Sequence, residues 1–398
     1  MKRKILFGIF SFFILAFIIG SDVKVSQNVK NEESLYKYLE MYVDVMKIVK
    51  NQYVEPVDDK QLLYGSLKGM LMSLDPYSAF LEPEVKKELE TETKGEFEGV
   101  GMEITLKDGL ITVVSPIEDT PAWRAGIKPE DKIIEIDGKS TKGLTTWEAA
   151  KKLRGKKGTE VEISIMRKNV PKLIKIKLVR DVIIVKSVKT KEFDDIGYLK
   201  ITAFQEKTGK DVSEKIIEFN KKNLKGLILD LRNNPGGLLS SAIEVSEVFL
   251  PQGSLILYTQ GRDQKDRKNF YTKNKALWEK PIVVLCNQGS ASASEIVIGA
   301  LKDNLKYFSS VGEKTFGKGS VQNLIGLQDG SALKLTIAHY YTPKGECIEE
   351  KGIMPNIQIS LPEEEEIILG EEKDIQLKKA IEEIKRLIIE SEKGSVNS

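Results

Sequence analysis

Three serines alternate in NQGSASASEIVIGA: Ser290, Ser292 and Ser294. They stand between the apolar run PIVVLC and a helix-like pattern. A serine hydroxyl becomes a nucleophile when a neighbouring group takes its proton. The chain has a single histidine, His339, in a strand-like segment beside Tyr340 and Tyr341. It reads as a packing or surface residue. The better base lies in GEKTFGKGSVQ, where Lys318 sits between Gly317 and Gly319, with Gln322 four residues on. That spacing puts both on one side of a strand or a helix. An exposed lysine titrates near ~10.4, so roughly one in 10³ is neutral at pH 7. Burial among apolar groups lowers that pKa and yields a usable base. Gln322 can hold the amine through its side-chain oxygen.

Ser292 carries two readings. Ser292-Ala-Ser-Glu295 matches a capping box, in which the serine only caps a helix. A serine at a strand-to-helix junction is also presented at the sheet edge. There the amide of Ala293, helped by the positive end of the helix, points at whatever the serine attacks. A second loop, Asn233-Asn234-Pro235-Gly236-Gly237, joins the strand GLILDLR to the helix GLLSSAIEVSEVFL. In a parallel sheet the C-terminal strand ends share one edge, so this loop can lie beside Ser292. The amides of Gly236 and Gly237 can donate to an oxyanion, or the glycines can serve only a tight turn.

The elements that must place these residues follow from pattern. From Glu33 to about Glu90 the reading is helical, with Leu35, Leu39, Tyr42, Val43, Met46 and Val49 repeating at threes and fours. A second helix near Gln61 to Leu74 stops at LDPYS, where Pro76 breaks it. From Gly95 to about Asp181 strands take over, with hairpin turns at Asp108-Gly109 and Asp137-Gly138 and one helix, TTWEAAKKLRG, that opens on a Thr145/Glu148 capping box and ends at Gly155. From Val182 to about Pro362 strands and helices alternate, which implies a largely parallel sheet covered by helices. A hairpin follows at Asp329-Gly330. The tail from Glu371 is an amphipathic helix that needs a partner surface, and the EEEE run at 363–366 is a solvated stretch.

The 398 residues call for two or three domains. Lys+Arg 61 against Asp+Glu 59 leaves +2, which argues against a nucleic-acid binder. Cys286 and Cys347 make neither a disulfide framework nor a zinc site. MKRK followed by an uncharged apolar run, Ile5 to Ser21, is the pattern of a secretory signal or a membrane anchor. Lys2, Arg3 and Lys4 would stay in the cytosol and the rest of the chain would work outside it. Whether the segment is cleaved stays open.

Two motifs mislead. GEKTFGKG has Gly319 where a phosphate-binding loop needs Ser or Thr, and a strand follows instead of a helix. SALK, Ser331 to Lys334, reads as a strand, and its order relative to KTG at 207–209 is reversed for a penicillin-binding site.

Taken together and in order, DLRNNPGGLL, NQGSASASEI and EKTFGKGSVQ resemble the core motifs of the carboxyl-terminal processing peptidases, or tail-specific proteases. YVEPVDDKQLLYGSLKGMLMSLDPYSAFLEP resembles that family's N-terminal helical segment. GEFEGVGMEI with DTPAWRAGIKPEDKIIEIDGK resembles its PDZ domain. Beyond the signal or membrane anchor (1–21), the resemblance implies a multidomain α/β protein: a helical region (30–92), a PDZ-like β domain (95–181), a parallel-sheet protease core (182–362) and a C-terminal amphipathic helix (366–398). It implies Ser292 as nucleophile, Lys318 as general base, Gln322 as its orienter, and an oxyanion hole from the Ala293 amide and one from Gly236 or Gly237. Gly99-Val100-Gly101-Met102 takes the place of the carboxylate-binding loop, with Trp147, Ala150 and Leu153 walling the groove. Arg154, at the end of that helix, is a candidate reporter of groove occupancy. Cys286, His339 and Asn356 depart from the family's usual residues without removing a catalytic role.

The expected activity is serine endopeptidase cleavage of proteins near or from free C-termini, without metal, cofactor, nucleotide or nucleic acid. The expected partners are protein or peptide substrates, the membrane through the N-terminal segment, and further copies of the chain through the N- and C-terminal helices. The expected location is extracytoplasmic, in a bacterial periplasm or cell envelope. The rival reading is a catalytically silent PDZ adaptor that delivers tails to another protease.

Overall fold

The computed structural model describes residues 32–361 and 373–396. The expected anchor at 1–21 and the acidic run at 363–366 lie outside them. Among the described residues no helix is long and apolar enough to cross a membrane. The chain divides into two compact units, one of residues 94–186 and one of residues 1–93 with 187–398.

The smaller unit is an antiparallel sheet. Its order is Met102–Lys107, Leu110–Pro116, Lys132–Ile136, Glu160–Met166, Ile174–Val179. Alternation turns Ile111, Val113, Ile163 and Ile165 into one buried cluster, and a register shift between Ile133 and Glu135 lets both Ile133 and Ile136 join it. Both expected hairpins form. Asp108 and Gly109 take φ of 52° and 75°, and Asp137 and Gly138 take 50° and 71°, the left-handed pair that a two-residue turn needs. The helix Thr146–Leu153 is capped as expected: Thr145 Oγ1 accepts the Glu148 amide at 3.2 Å, and Glu148 Oε2 accepts the Thr145 amide at 2.8 Å. A separate two-stranded ladder pairs Glu96–Gly99 with Asp181–Ile184.

The larger unit is built on a six-stranded sheet ordered Val188–Phe193, Ile196–Ile201, Gly226–Asp230, Ile282–Cys286, Phe308–Gly312, Ile357–Gln358. Only the first pair is antiparallel. The central strands GLILD and IVVLC are buried at every residue because both faces are covered. Leu227, Leu229, Ile282 and Val284 face the helices Thr208–Lys221, Leu239–Phe249 and Ala293–Asn304. Ile228, Val283 and Leu285 point the other way, onto Leu377, Ala380, Ile384 and Leu387 of the tail helix Ile375–Val396. The partner surface this amphipathic helix required is therefore the chain's own sheet. Ile375 and Ile389 of the same helix stay exposed. The closeness is tight: a Cβ on Gly226 would meet Ile384 Cγ1 at 2.6 Å.

A second, antiparallel sheet runs Ala79–Leu81, Ala332–Tyr341, Leu255–Gln260, Lys268–Tyr271, with Ser320–Gly326 also on Ala332–Tyr341. Sequence pattern marked the hairpin 320–341 and a helical region over about 33–90, broken at Pro76, with no strand in it. Ala79–Leu81 is instead a strand, made so by pairing with Ala332–Lys334. Three residues carry no periodicity of their own, so the partner decides. The helices of this N-terminal region are Glu32–Gln52, Asp59–Met72 and Pro83–Lys94.

Candidate active site

The strand Ile282–Cys286 hands over through NQGSA to the helix Ala293–Asn304. The three serines in this stretch separate by what they bond. Ser290 Oγ donates to the Leu231 carbonyl at 2.8 Å, and Ser294 Oγ donates to the Asn234 carbonyl at 2.9 Å. Both tie the loop to the end of the neighbouring strand. Ser292 Oγ is buried and has no hydrogen-bond partner among the described residues. Only half of the capping box is made: the Ser292 amide donates to Glu295 Oε2 at 2.9 Å. Ser292 holds φ 55° and ψ −113°, a backbone conformation costing about 1–3 kcal/mol for a residue with a Cβ. Bonds on both sides hold it there, among them the Ala291 amide to the Asn234 carbonyl at 3.0 Å.

The loop 233–237 lies against this junction, as the common sheet edge requires. A Cβ on Gly236 would meet Ala291 O at 2.8 Å, Ser292 Cβ at 2.9 Å and the Ala293 nitrogen at 3.0 Å. The two glycines differ in one respect. The Gly236 amide donates to Asn234 Oδ1 at 2.9 Å, while its carbonyl accepts the Phe204 amide at 2.9 Å. As folded, Gly236 is a donor already spent, which leaves Gly237 as this loop's candidate for an oxyanion. The Ala293 amide opens the helix, where the first-turn N–H groups lack intrahelical partners.

Lys318 is fully buried in the segment that leads into the strand Ser320–Gly326. Burial, aided by the nearby charge of Lys334, lowers its pKa from 10.5 to about 7, against the opposing pull of Glu349, Glu295 and Asp75. The Tyr77 ring lies 4.7 Å from its Nζ. Gln322, also fully buried, donates from Nε2 to Thr336 Oγ1 at 3.1 Å. His339 stays half exposed on the strand Ala332–Tyr341, with Nδ1 4.0 Å from Glu349 Oε2.

What brings the serine and lysine segments together is Glu295. Its Oε2 accepts the amides of both Ser292 and Lys318, each at 2.9 Å. Its Oε1 accepts Thr315 Oγ1 at 2.5 Å and the Gly317 amide at 2.7 Å. Burial raises this carboxyl to about 7, with the four donors pulling it back. Tyr340 Oη lies within reach of the carbonyls of both Ser292 and Lys318. Its one proton serves one of them at a time.

The smaller unit offers a cleft of about 80 Å³ lined by Phe97, Val100, Gly101, Met102, Ile104, Ala150, Leu153 and Arg154. The loop there is pinned by its carbonyls: Val100 O accepts the Ala122 amide at 2.8 Å, and Gly101 O accepts the Ile117 amide at 3.0 Å. Gly101 has φ +79°, and a Cβ there would overlap Thr120 at 2.3 Å. The Arg154 guanidinium sits 5.3 Å from the Phe97 ring. The Trp147 side chain lies outside the described residues.

Residues 195–359 match peptidase family S41, residues 99–178 match the PDZ domain, and residues 15–85 match the activating protease CtpB N-terminal domain. The carboxy-terminal-processing protease of Bartonella bacilliformis is 45% identical over 367 residues, 91% of this chain and 84% of that one. The chain belongs to the carboxy-terminal processing protease family. Carboxy-terminal processing protease CtpA of Bacillus subtilis is 42% identical over 317 residues, covering 79% of this chain and 67% of the relative. Among solved structures, the photosystem II D1 C-terminal processing protease superposes with a TM-score of 0.50 at 30% identity, over 82% of this chain and 87% of that one. The protein is thus a PDZ-containing serine peptidase of family S41. The expected multidomain α/β architecture, with a helical N-terminal segment, is the one observed.

Sequence reading missed the residues that hold this protease's loops together. Glu295 was visible only as the closing residue of a local capping box, and Tyr340 only as a strand position. Asp75 and Tyr77 stood in a helix-breaking stretch with no local sign of contact with Lys318.

Proposed function

We propose that Ser292 is the nucleophile and Lys318 the general base of an endopeptidase acting on protein C-termini, with Gln322 orienting the base. The observation that carries this is the sorting of the serines: two are committed to backbone carbonyls, while the Ser292 hydroxyl is buried and uncommitted among the described residues. Lys318, its neutral form well populated near pH 7, takes the Ser292 proton. The oxygen attacks the scissile carbonyl, and the amides of Ala293 and Gly237 receive the developing oxyanion. Lys318 then returns the proton to the leaving amine, and water resolves the acyl-enzyme.

The loop Gly99–Met102 and the cleft beside Ala150 and Leu153 take the substrate's free carboxylate and apolar last residue, the peptide adding as a strand. Arg154 reports occupancy of that cleft to the core. The basic and then apolar N-terminus supports placement outside the cytoplasm on a membrane anchor. The exposed Leu35, Leu39, Val43 and Ile48 of the helix Glu32–Gln52 support pairing of copies through this helix.

The test pairs an unfolded protein ending in an apolar residue with the same protein amidated at its C-terminus. The full-length chain is expected to degrade the first and spare the second, and Arg154→Ala to lose this distinction. Equal cleavage of both would end the tail-reading proposal. An unchanged response in Arg154→Ala would remove that residue's role.

A further inference from the structure

LDPYS reads in the sequence only as a helix stop, yet the fold carries it to the base. Asp75 closes a tight turn there: its Oδ1 accepts the amides of Tyr77 at 2.8 Å and Ser78 at 2.7 Å, and its Oδ2 accepts Ser78 Oγ at 2.7 Å. The turn sets Tyr77 over Lys318 and sends the chain into the strand Ala79–Leu81, beside Ala332–Lys334. Two residues further on, Thr336 Oγ1 donates to Asp75 Oδ1 at 3.3 Å and its amide donates to Ser78 Oγ at 3.1 Å. Thr336 Oγ1 in turn accepts Gln322 Nε2 at 3.1 Å.

We propose that Asp75 and Thr336 form a one-way hydrogen-bond relay that turns the Gln322 amide so that its oxygen faces the base. The proposal rests on the reading of Lys318 as base and Gln322 as its orienter. The polarity follows from proton counting. An ionised carboxylate can only accept. Burial works to raise the Asp75 pKa, but the bonds from Ser78, Tyr77 and Thr336 outweigh it, so the group is held below its usual value and stays ionised at neutral pH. Ser78 Oγ lies 2.7 Å from Asp75 Oδ2 and 3.4 Å from Thr336 Oγ1, so its single proton goes to the nearer, charged carboxylate; Thr336 gives its own proton to Asp75 and has only lone pairs left for Gln322. The amide must then present NH₂ to Thr336 and Oε1 to the other side. That oxygen is buried with no hydrogen-bond partner among the described residues. An acceptor held there receives an N–H of Lys318 and leaves the amine's lone pair for Ser292. Without the relay the amide can turn, and its NH₂ would compete for that lone pair. Asp75 and Thr336 are positioning residues in this scheme, and neither touches the substrate.

Asp75 also acts on Lys318 through its charge, as do Lys334, Glu349 and Glu295. The relay is therefore tested at Thr336, which carries none. In the full-length protein, Thr336→Val should lower kcat about tenfold, the worth of one hydrogen bond in the transition state. Losing an oxygen that favours the ammonium form should also move the acid limb of the kcat profile to lower pH. Thr336→Ser, which keeps the hydroxyl, should restore both, and Thr336→Ala provides a second hydroxyl deletion if valine does not pack. A kcat equal to wild type, or an acid limb that stays in place or moves to higher pH, would overturn the relay. Lys318→Ala, assayed alongside, separates the two levels: activity surviving there overturns the base assignment itself, whereas its loss beside a wild-type Thr336→Val overturns the relay alone.

Discussion

Lys318→Met should abolish peptide hydrolysis and, at the same time, make the protein more stable. Removing a general base costs about 10²–10⁴-fold in kcat. The gain in stability comes from the same burial that lowers the lysine's pKa. An ordinary lysine titrates near 10.5, whereas Lys318 is depressed to about 7 by its dry surroundings and by Lys334. Below pH 7 the side chain is charged in both states, and folding bears the whole cost of burying that charge. Between about 7 and 10.5 the unfolded chain binds the proton and the folded one does not, so stability rises with pH through that window. Above it the cost is gone. Methionine fills similar volume without charge, so Lys318→Met should raise unfolding free energy by on the order of 2–4 kcal/mol near pH 6, and by little near pH 10. Thermal melts of wild type and variant at the two pH values measure this. A variant less stable than wild type at pH 6 would mean that Lys318 is held by compensating partners and is not poised as a base.

Arg232→Met should have the largest cost to the fold. Arg232 is fully buried between two carboxylates, with Nη2 2.7 Å from Asp230 Oδ2 and 2.7 Å from Asp374 Oδ2. Nη1 also donates to Gln376 Oε1 at 2.9 Å. Tyr198 Oη completes the cluster by donating to Asp230 Oδ2 at 2.7 Å. One guanidinium thus fastens Asp230, the last residue of the strand Gly226–Asp230 and close before the glycine-bearing loop 233–237, to the entry of the tail helix. Removing it strands two buried carboxylates, an effect of about 3–5 kcal/mol. The expected readings are a lowered melting temperature and early proteolytic loss of the tail helix. Activity should fall with the fold, because the loop 233–237 begins where the cluster ends. An unchanged melting temperature would show that the cluster contributes no more than a hydrophobic packing would.

These two residues also show how far the sequence can be read. Lys318 was legible as a candidate base from residue type, flanking glycines, a glutamine at a fixed spacing and the resemblance of EKTFGKGSVQ to a family motif. The strand-to-helix presentation of Ser292 was legible from the apolar run before it and the helical pattern after it. Arg232 was not, because its partners Asp374 and Gln376 lie far along the chain and an Asp-Leu-Arg triplet has no period of its own. The tail helix was legible as amphipathic, yet only the fold shows that the sheet face of Ile228, Val283 and Leu285 receives it. Glu295 is the sharpest case. Locally it completes a capping box, and that reading is half right, since it accepts the Ser292 amide. Its bonds to Thr315, Gly317 and Lys318 depend on two loops meeting at one sheet edge, which residue spacing does not encode.

The claim that Ser292 and Lys318 together perform the cleavage is tested most directly by fragment release. An unfolded protein with an apolar C-terminal tail is incubated with full-length wild type, Ser292→Ala or Lys318→Ala, in EDTA and without ATP, and the products are read by mass spectrometry. Fragments are expected from wild type alone. Fragments produced by Ser292→Ala at the wild-type rate would show that another group is the nucleophile and that the sorting of the three serines has been misread.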